Sequence, residues 1–144
     1  MSVSAILLPV FVQVGLIFAL LLWMGRSRMG ALRSGEVKVK DIALGERNWP
    51  NRATQAANAF SNQFEIPLLF FVLVAFAMIT RKADMLFVVL SWMFVASRLV
   101  HALVHTTSNQ VPLRFMAYLA GVIILMIMWV VFALRIFAAQ AGVG

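Results

Sequence analysis

The chain contains no cysteine, which removes disulfides, thiolate metal sites and cysteine nucleophiles from consideration. It is also poor in charge. Only 12% of its 144 residues are charged and 63% are hydrophobic, whereas a soluble domain carries about 25% charged residues. Such a balance excludes an ordinary soluble fold and points to a membrane protein. Ser-His-Asp arrangements, phosphate-binding loops and dinucleotide fingerprints are all missing, so the common soluble catalytic motifs do not compete. Internal repeats and low-complexity segments are missing too, and the chain reads as one domain over residues 1–144.

Long apolar runs are what the sequence does have. Four are predicted to span a membrane, over residues 3–24, 51–79, 85–105 and 112–139. Each supplies the roughly 20 residues that a hydrocarbon core of about 30 Å requires. Barrel strands would alternate apolar and polar residues, and a run such as "GVIILMIMWVVFAL" does not. The fold class expected is therefore all-α, an integral membrane four-helix bundle. No basic residue precedes the first run, and that run is too long for the core of a signal peptide, so it is expected to be retained as a span.

The formal net charge is +7, but the basic residues lie between and beside spans rather than in a soluble basic domain, so no nucleic-acid partner is expected. Arg26, Arg28, Arg33, Lys38, Lys40, Arg47 and Arg52 fall in or beside the first connection, residues 25–50; the second, "TRKAD", holds only Arg81 and Lys82. The positive-inside rule places the first loop in the cytoplasm and both termini on the other side.

Polar residues then recur with helical spacing. In "ERNWPNRATQAANAF", Asn48 is the predicted N-cap, with Pro50 early in the first turn, where its missing N–H is harmless. A helix of about 30 residues would follow, running some 45 Å. Along it, Gln55, Asn58, Asn62 and Glu65 share one face. Pro67 is expected to kink the helix just past Glu65. On the third helix Arg98, His101 and His105 share a face, and on the fourth Arg114, Tyr118 and Gly121 do, with Pro112 at the helix start.

Each residue alone has a plain structural use. Asn58 and Asn62 can bond neighbouring helices, and Arg98 and Arg114 can anchor at the interface or meet lipid phosphates. Glu65 and Arg98 can be a structural ion pair. His101 and His105 have the spacing of a metal pair, yet zinc wants three or four ligands and only Glu65 is at hand as a third, so no metal is expected. Together, however, an acid, amides, two arginines, two imidazoles and a phenol at one depth describe a polar pocket between helices. Its chemistry suits an anionic, amide-bearing small molecule whose partner dissolves in the adjacent bilayer. A proton or ion pathway through Glu65 and the histidines is a further reading.

Three elements carry a family resemblance: the basic loop "GRSRMGAL", the Asn-x-x-Glu element before a proline in "NQFEIP", and the stretch "RLVHALVHTTSNQVPLRFMAY". In order and spacing the chain resembles the MAPEG family, the membrane-associated proteins in eicosanoid and glutathione metabolism, as a divergent, bacterial-type member. The resemblance implies a homotrimer in a bacterial inner membrane, with glutathione as co-substrate at subunit interfaces near the cytoplasmic side and a small lipophilic substrate from the membrane lipids. It implies glutathione contacts at Asn62, Glu65, Arg98, Arg114 and Tyr118, with Asn58, His101 and His105 beside them and Arg114, with Arg98 as the alternative, holding the thiolate. His105 stands where glutathione-using members often carry tyrosine. Asn58 and Ser61 stand where those members carry the arginines of an Arg-x-x-Arg-Asn-x-x-Glu helix. The activity implied is a glutathione-dependent transferase or peroxidase; the alternative is a non-catalytic lipid- or partner-binding scaffold of the same fold.

Overall fold

The computed structural model describes residues 1–45 and 48–142. Arg47, one of the basic residues beside the first connection, lies outside them. The described residues form helices and turns without a strand: α1 (Val3–Arg33), α2 (Asn51–Ser61), α3 (Ile66–Ile79), α4 (Met85–Thr106) and α5 (Val111–Gln140). Four helical units, with α2 and α3 taken together, are long and apolar enough to cross a membrane. Their outer faces carry Phe11, Phe18, Leu22, Leu134 and Phe137, all exposed. Such faces are tolerable only in hydrocarbon, and the protein is an integral, multi-pass membrane protein.

α1 begins at Ser2, whose hydroxyl accepts from the Ala5 N–H at 3.3 Å. It continues nine residues past the predicted end, because arginine, methionine, leucine and alanine extend an already formed helix at little cost. It stops where Gly35 adopts φ +74, a left-handed conformation suited to glycine, and donates to the Leu32 carbonyl. Its 31 residues reach about 46 Å, so α1 stands clear of a core of about 30 Å.

The start of α2 corrects one expectation. Pro50, not Asn48, occupies the N-cap position, and no side chain caps the helix. Asn48 instead donates its amide to the Asp41 carbonyl at 2.8 Å, two residues too early to serve α2. The second span is also not one kinked helix. It breaks at Glu65 itself, after a 3-10 turn over Asn62–Phe64, and restarts as α3 with Pro67 in the first turn. Proline has no N–H to give Gln63 and its ring collides with that carbonyl, so the disruption falls before the proline rather than after it.

α2 buries Ala53, Ala56 and Ala59, a line of small side chains that lets α1 approach closely. Deeper in the bundle, Gln13 of α1 donates to Gln63 at 2.9 Å, and Gln63 in turn donates to the Ala59 carbonyl at 3.1 Å, which ties the break to α1. The apolar core joins Phe70, Leu73 and Val74 of α3 to Phe94 and Val95 of α4 and to Leu125 and Met128 of α5. Phe70 and Phe94 stack at 4.7 Å. α4 is the most buried span and makes its most extensive packing with α5. At the end away from the α1–α2 loop, Asp84 caps α4 by accepting from the Phe87 N–H at 3.0 Å, and Arg135 of α5 clamps both its carboxylate oxygens at 2.8 and 2.7 Å.

Candidate functional site

The polar residues gather at the loop end of the bundle, where α2, α4 and α5 meet. A cleft of about 340 Å³ is walled by Asn58, Asn62, His101, His105, Val111, Arg114, Phe115 and Tyr118. Six of the eight residues singled out in the sequence therefore share one surface. The helical spacings explain it: each stripe lies on one face, and the antiparallel order brings the three faces to one level.

The histidines set the hydrogen-bond pattern. The Nδ1 of His101 lies 3.0 Å from the Arg114 carbonyl, which can only accept, so Nδ1 carries the proton. Its Nε2 then accepts from the Asn62 amide at 3.4 Å, and the same amide reaches Nδ1 of His105 at 3.4 Å. One amide thus bridges two imidazoles in a pattern that suits both rings neutral. These contacts are long and weak, leaving the amide free to re-form its bonds around a ligand. Gln55 fixes the other side of His105 by donating to its backbone carbonyl.

Arg114 is aimed by a residue that the sequence pattern did not single out. Its Nη1 donates to Oδ1 of Asn109 at 2.7 Å. Asn109 sits in the α4–α5 turn at φ +49, a conformation asparagine tolerates well, and its N–H bonds the Val104 carbonyl at 2.7 Å. The available signal was an asparagine in a polar tetrad between two helices, "TSNQ".

Arg98 and Glu65 lie outside the cleft walls. Arg98 is 0% exposed, and none of its three guanidinium nitrogens has a hydrogen-bond partner among the described residues. Its guanidinium carbon stands 5.3 Å from the centre of the Tyr118 ring, which separates it from the cleft. Gly121 packs against it, since a Cβ there would lie at an ordinary contact distance of 3.9 Å from that carbon. Glu65 is exposed at the helix break. Within one subunit the two do not pair: the ion pair found among the described residues is that of Asp84 with Arg135, at the opposite end. The break in the second span is the reason. Glu65 stands at φ −89 and ψ −100, outside the helical region, so the helical stripe of Gln55, Asn58 and Asn62 ends before it and its side chain is exposed.

Chemically the cleft offers amide and imidazole groups for hydrogen bonding and one guanidinium for an anion. A buried second guanidinium with unpartnered nitrogens lies beneath Tyr118. That donor set suits a small anion that carries hydrogen-bonding groups. One turn along α5 from Tyr118, a groove of about 420 Å³ between α3 and α5 is lined by apolar side chains that include Ile66, Leu69, Val122 and Trp129. Polar and apolar recesses therefore adjoin along one helix. No curated protein and no solved structure matches the chain. Residues 6–134 match the sequence model of the MAPEG family, and the chain, with its four spans and the polar cleft among them, belongs to that family.

Proposed function

We propose that the protein is a glutathione-dependent transferase or peroxidase acting on lipophilic electrophiles. The observation that carries this reading is the adjacency of the two recesses, a polar, cationic cleft at the loop end and an apolar groove one turn deeper on α5. The first suits the charged ends and amides of glutathione, and the second suits a substrate that arrives through the bilayer. Arg114 is assigned to holding the thiol as thiolate, much as nearby cations depress a cysteine pKa from about 8.5. Asn58, Asn62, His101, His105 and Tyr118 are assigned to binding the peptide. Arg98 and Glu65 join them on the family's pattern. The active form is taken as a homotrimer in a bacterial inner membrane, with the basic loop in the cytoplasm and both termini opposite.

A second reading, the non-catalytic scaffold, is favoured by one observation: Arg98 has no exposed surface, so a ligand reaches it only if Tyr118 moves. Titration of the purified protein with glutathione to millimolar concentration separates the two. Binding, followed by a loss of about 10- to 100-fold in turnover for Arg114→Ala, supports the enzyme, since one charge-assisted contact is worth about 1.5–3 kcal/mol. Glu65→Gln is expected to weaken binding in a protein that still folds, because Glu65 is exposed within the subunit. An absence of binding at millimolar glutathione would establish the scaffold instead.

A further inference from the structure

A second recess system lies on the other side of α2, away from the cleft. Two hollows of about 470 and 480 Å³ between α1 and the start of α2 share Arg26, Ser27 and Arg52. We infer that this groove binds the phosphodiester headgroup of an anionic phospholipid. The inference does not rest on the glutathione reading.

The two hollows differ in chemistry along the membrane normal. The inner one is walled by Ala19, Leu22 and Trp23, which stand on the same face of α1 as Arg26 by their spacing. The apolar run of α1 ends at Met24, and tryptophan favours the level of the headgroups. Arg26 lies three residues on, about 4.5 Å further out, where a lipid carries its phosphate. The outer hollow changes to polar groups, with Ser34 and Asn51 on its walls. A wall that is apolar, then cationic, then hydroxylated follows the order of acyl chain, phosphodiester and headgroup glycerol in phosphatidylglycerol.

The charges also call for an anion. Arg26 and Arg52 come from different helices and are both exposed, and neither belongs to an ion pair among the described residues. Two guanidinium groups on one hollow repel each other unless a negative group lies between them. The one acid on the outer rim, Glu36, pairs with neither. Arg28, by contrast, is already engaged over the Trp49 ring at 4.9 Å. The first turn of α2, which borders the outer hollow, has no side-chain cap and adds its N–H groups to the same field. Guanidinium groups suit phosphate because their planar forks match its oxygens. Soluble glycerol phosphate shares that chemistry, and the apolar inner wall selects the lipid.

The test uses the full chain in phosphatidylcholine nanodiscs, titrated with phosphatidylglycerol and followed by native mass spectrometry. Wild type should retain phosphatidylglycerol in preference to phosphatidylcholine. The Arg26→Gln/Arg52→Gln double variant should bind it about tenfold or more weakly, a change expected for losing two phosphate contacts. A charge-matched double variant in the loop, Lys38→Gln/Lys40→Gln, should stay within about twofold. If the glutamine pair fails to fold, Arg26→Lys/Arg52→Lys supplies the comparison, with weakening of about threefold or more expected because lysine lacks the fork. Equal losses in the arginine and lysine-loop pairs would mean a diffuse basic surface and would overturn the site. So would equal retention of the two lipids, or full affinity in the lysine-for-arginine pair. Equally tight binding of soluble glycerol phosphate would move the source to solution and overturn the lipid assignment. Displacement of the lipid by glutathione would merge this groove with the cleft and overturn it as well.

Discussion

Gly121→Ala should change the sign of its effect according to what stands at residue 97. A Cβ at Gly121 would lie 2.6 Å from Oγ of Ser97, closer than real contacts allow, but 3.7 Å from Cβ of Ser97, an ordinary distance. The clash is therefore with the hydroxyl alone. That hydroxyl donates to the Phe94 carbonyl at 2.6 Å, so rotating it away gives up a hydrogen bond of about 1 kcal/mol. If it stays and α5 shifts, overpacking costs about 1–3 kcal/mol. Against either, alanine gains about 1 kcal/mol over glycine inside a helix. The net for Gly121→Ala in wild type lies between about zero and a loss of about 2 kcal/mol. Ser97→Ala removes the obstructing atom and is itself near neutral, since the Phe94 carbonyl keeps its helical bond. In that background Gly121→Ala should stabilise by up to about 1 kcal/mol, giving a coupling of roughly 1–3 kcal/mol. Denaturation of the four proteins in one detergent measures it as a double-mutant cycle. Equal destabilisation by Gly121→Ala in both backgrounds would refute the reasoning. The clash would then not be the reason for glycine at the α4–α5 contact.

Three further outcomes follow from the geometry. Burial alone would push the Asp84 carboxyl up, but the Arg135 hydrogen bond, the Phe87 N–H and the Arg135 charge outweigh it and hold the group below its ordinary range. Its contribution, under about 1 kcal/mol because Asp84 is 52% exposed, is therefore present above about pH 4 and lost as pH falls through the lower folded value; wild type and Asp84→Asn should differ in thermal stability at pH 7 and converge near pH 2. Gln13→Leu leaves Oε1 of Gln63 buried without its donor and should cost about 1–3 kcal/mol, whereas Gln13→Leu/Gln63→Leu should recover most of that in the same unfolding assay. Asn109→Ala should release Arg114 and cost about 1–2 kcal/mol of stability, because alanine lacks the acceptor at 2.7 Å and resists φ +49; thermal unfolding reads the loss.

Periodicity made the spans and the convergence legible. The predicted third span differs from α4 by one residue at its end and the fourth from α5 by one residue at each end, because a long apolar run bounded by a capping aspartate or an early proline has few alternatives. The cleft was legible for the same reason, since spacings of three and four fix which residues share a helical face. Illegible features were those that depend on direction rather than depth. Glu65 and Arg98 lie near one level, but the helix break at Glu65 leaves one exposed and α5 covers the other. Gln13 and Gln63 are isolated amides in separate spans, fifty residues apart, and sequence spacing cannot pair them. Asn109 acts through one turn geometry, which asparagine in a short polar connection only suggests.

Arg98 shows why the two ends of the bundle differ. A guanidinium buried without partners costs several kcal/mol, and the nearby Tyr118 ring returns about 2 of them. Such a cost persists only where the surroundings hold the group in place. Here α4 is held at both ends: Asp84 caps its start and is clamped by Arg135, and the Asn109 turn closes its finish. Between these points Phe94 stacks on Phe70, one turn before Arg98. The helix therefore cannot rotate to bring the arginine to water without breaking an ion pair, a cap and a packed core together. Stability at the far end thus maintains strain at the loop end. On the glutathione reading that strain has a use. An anion admitted beside Arg98 as Tyr118 moves would recover the desolvation cost, and that recovered energy would add to its affinity. A scaffold of the same fold would bear the cost without any such return, so the buried arginine separates the two readings by whether Tyr118 yields to a ligand.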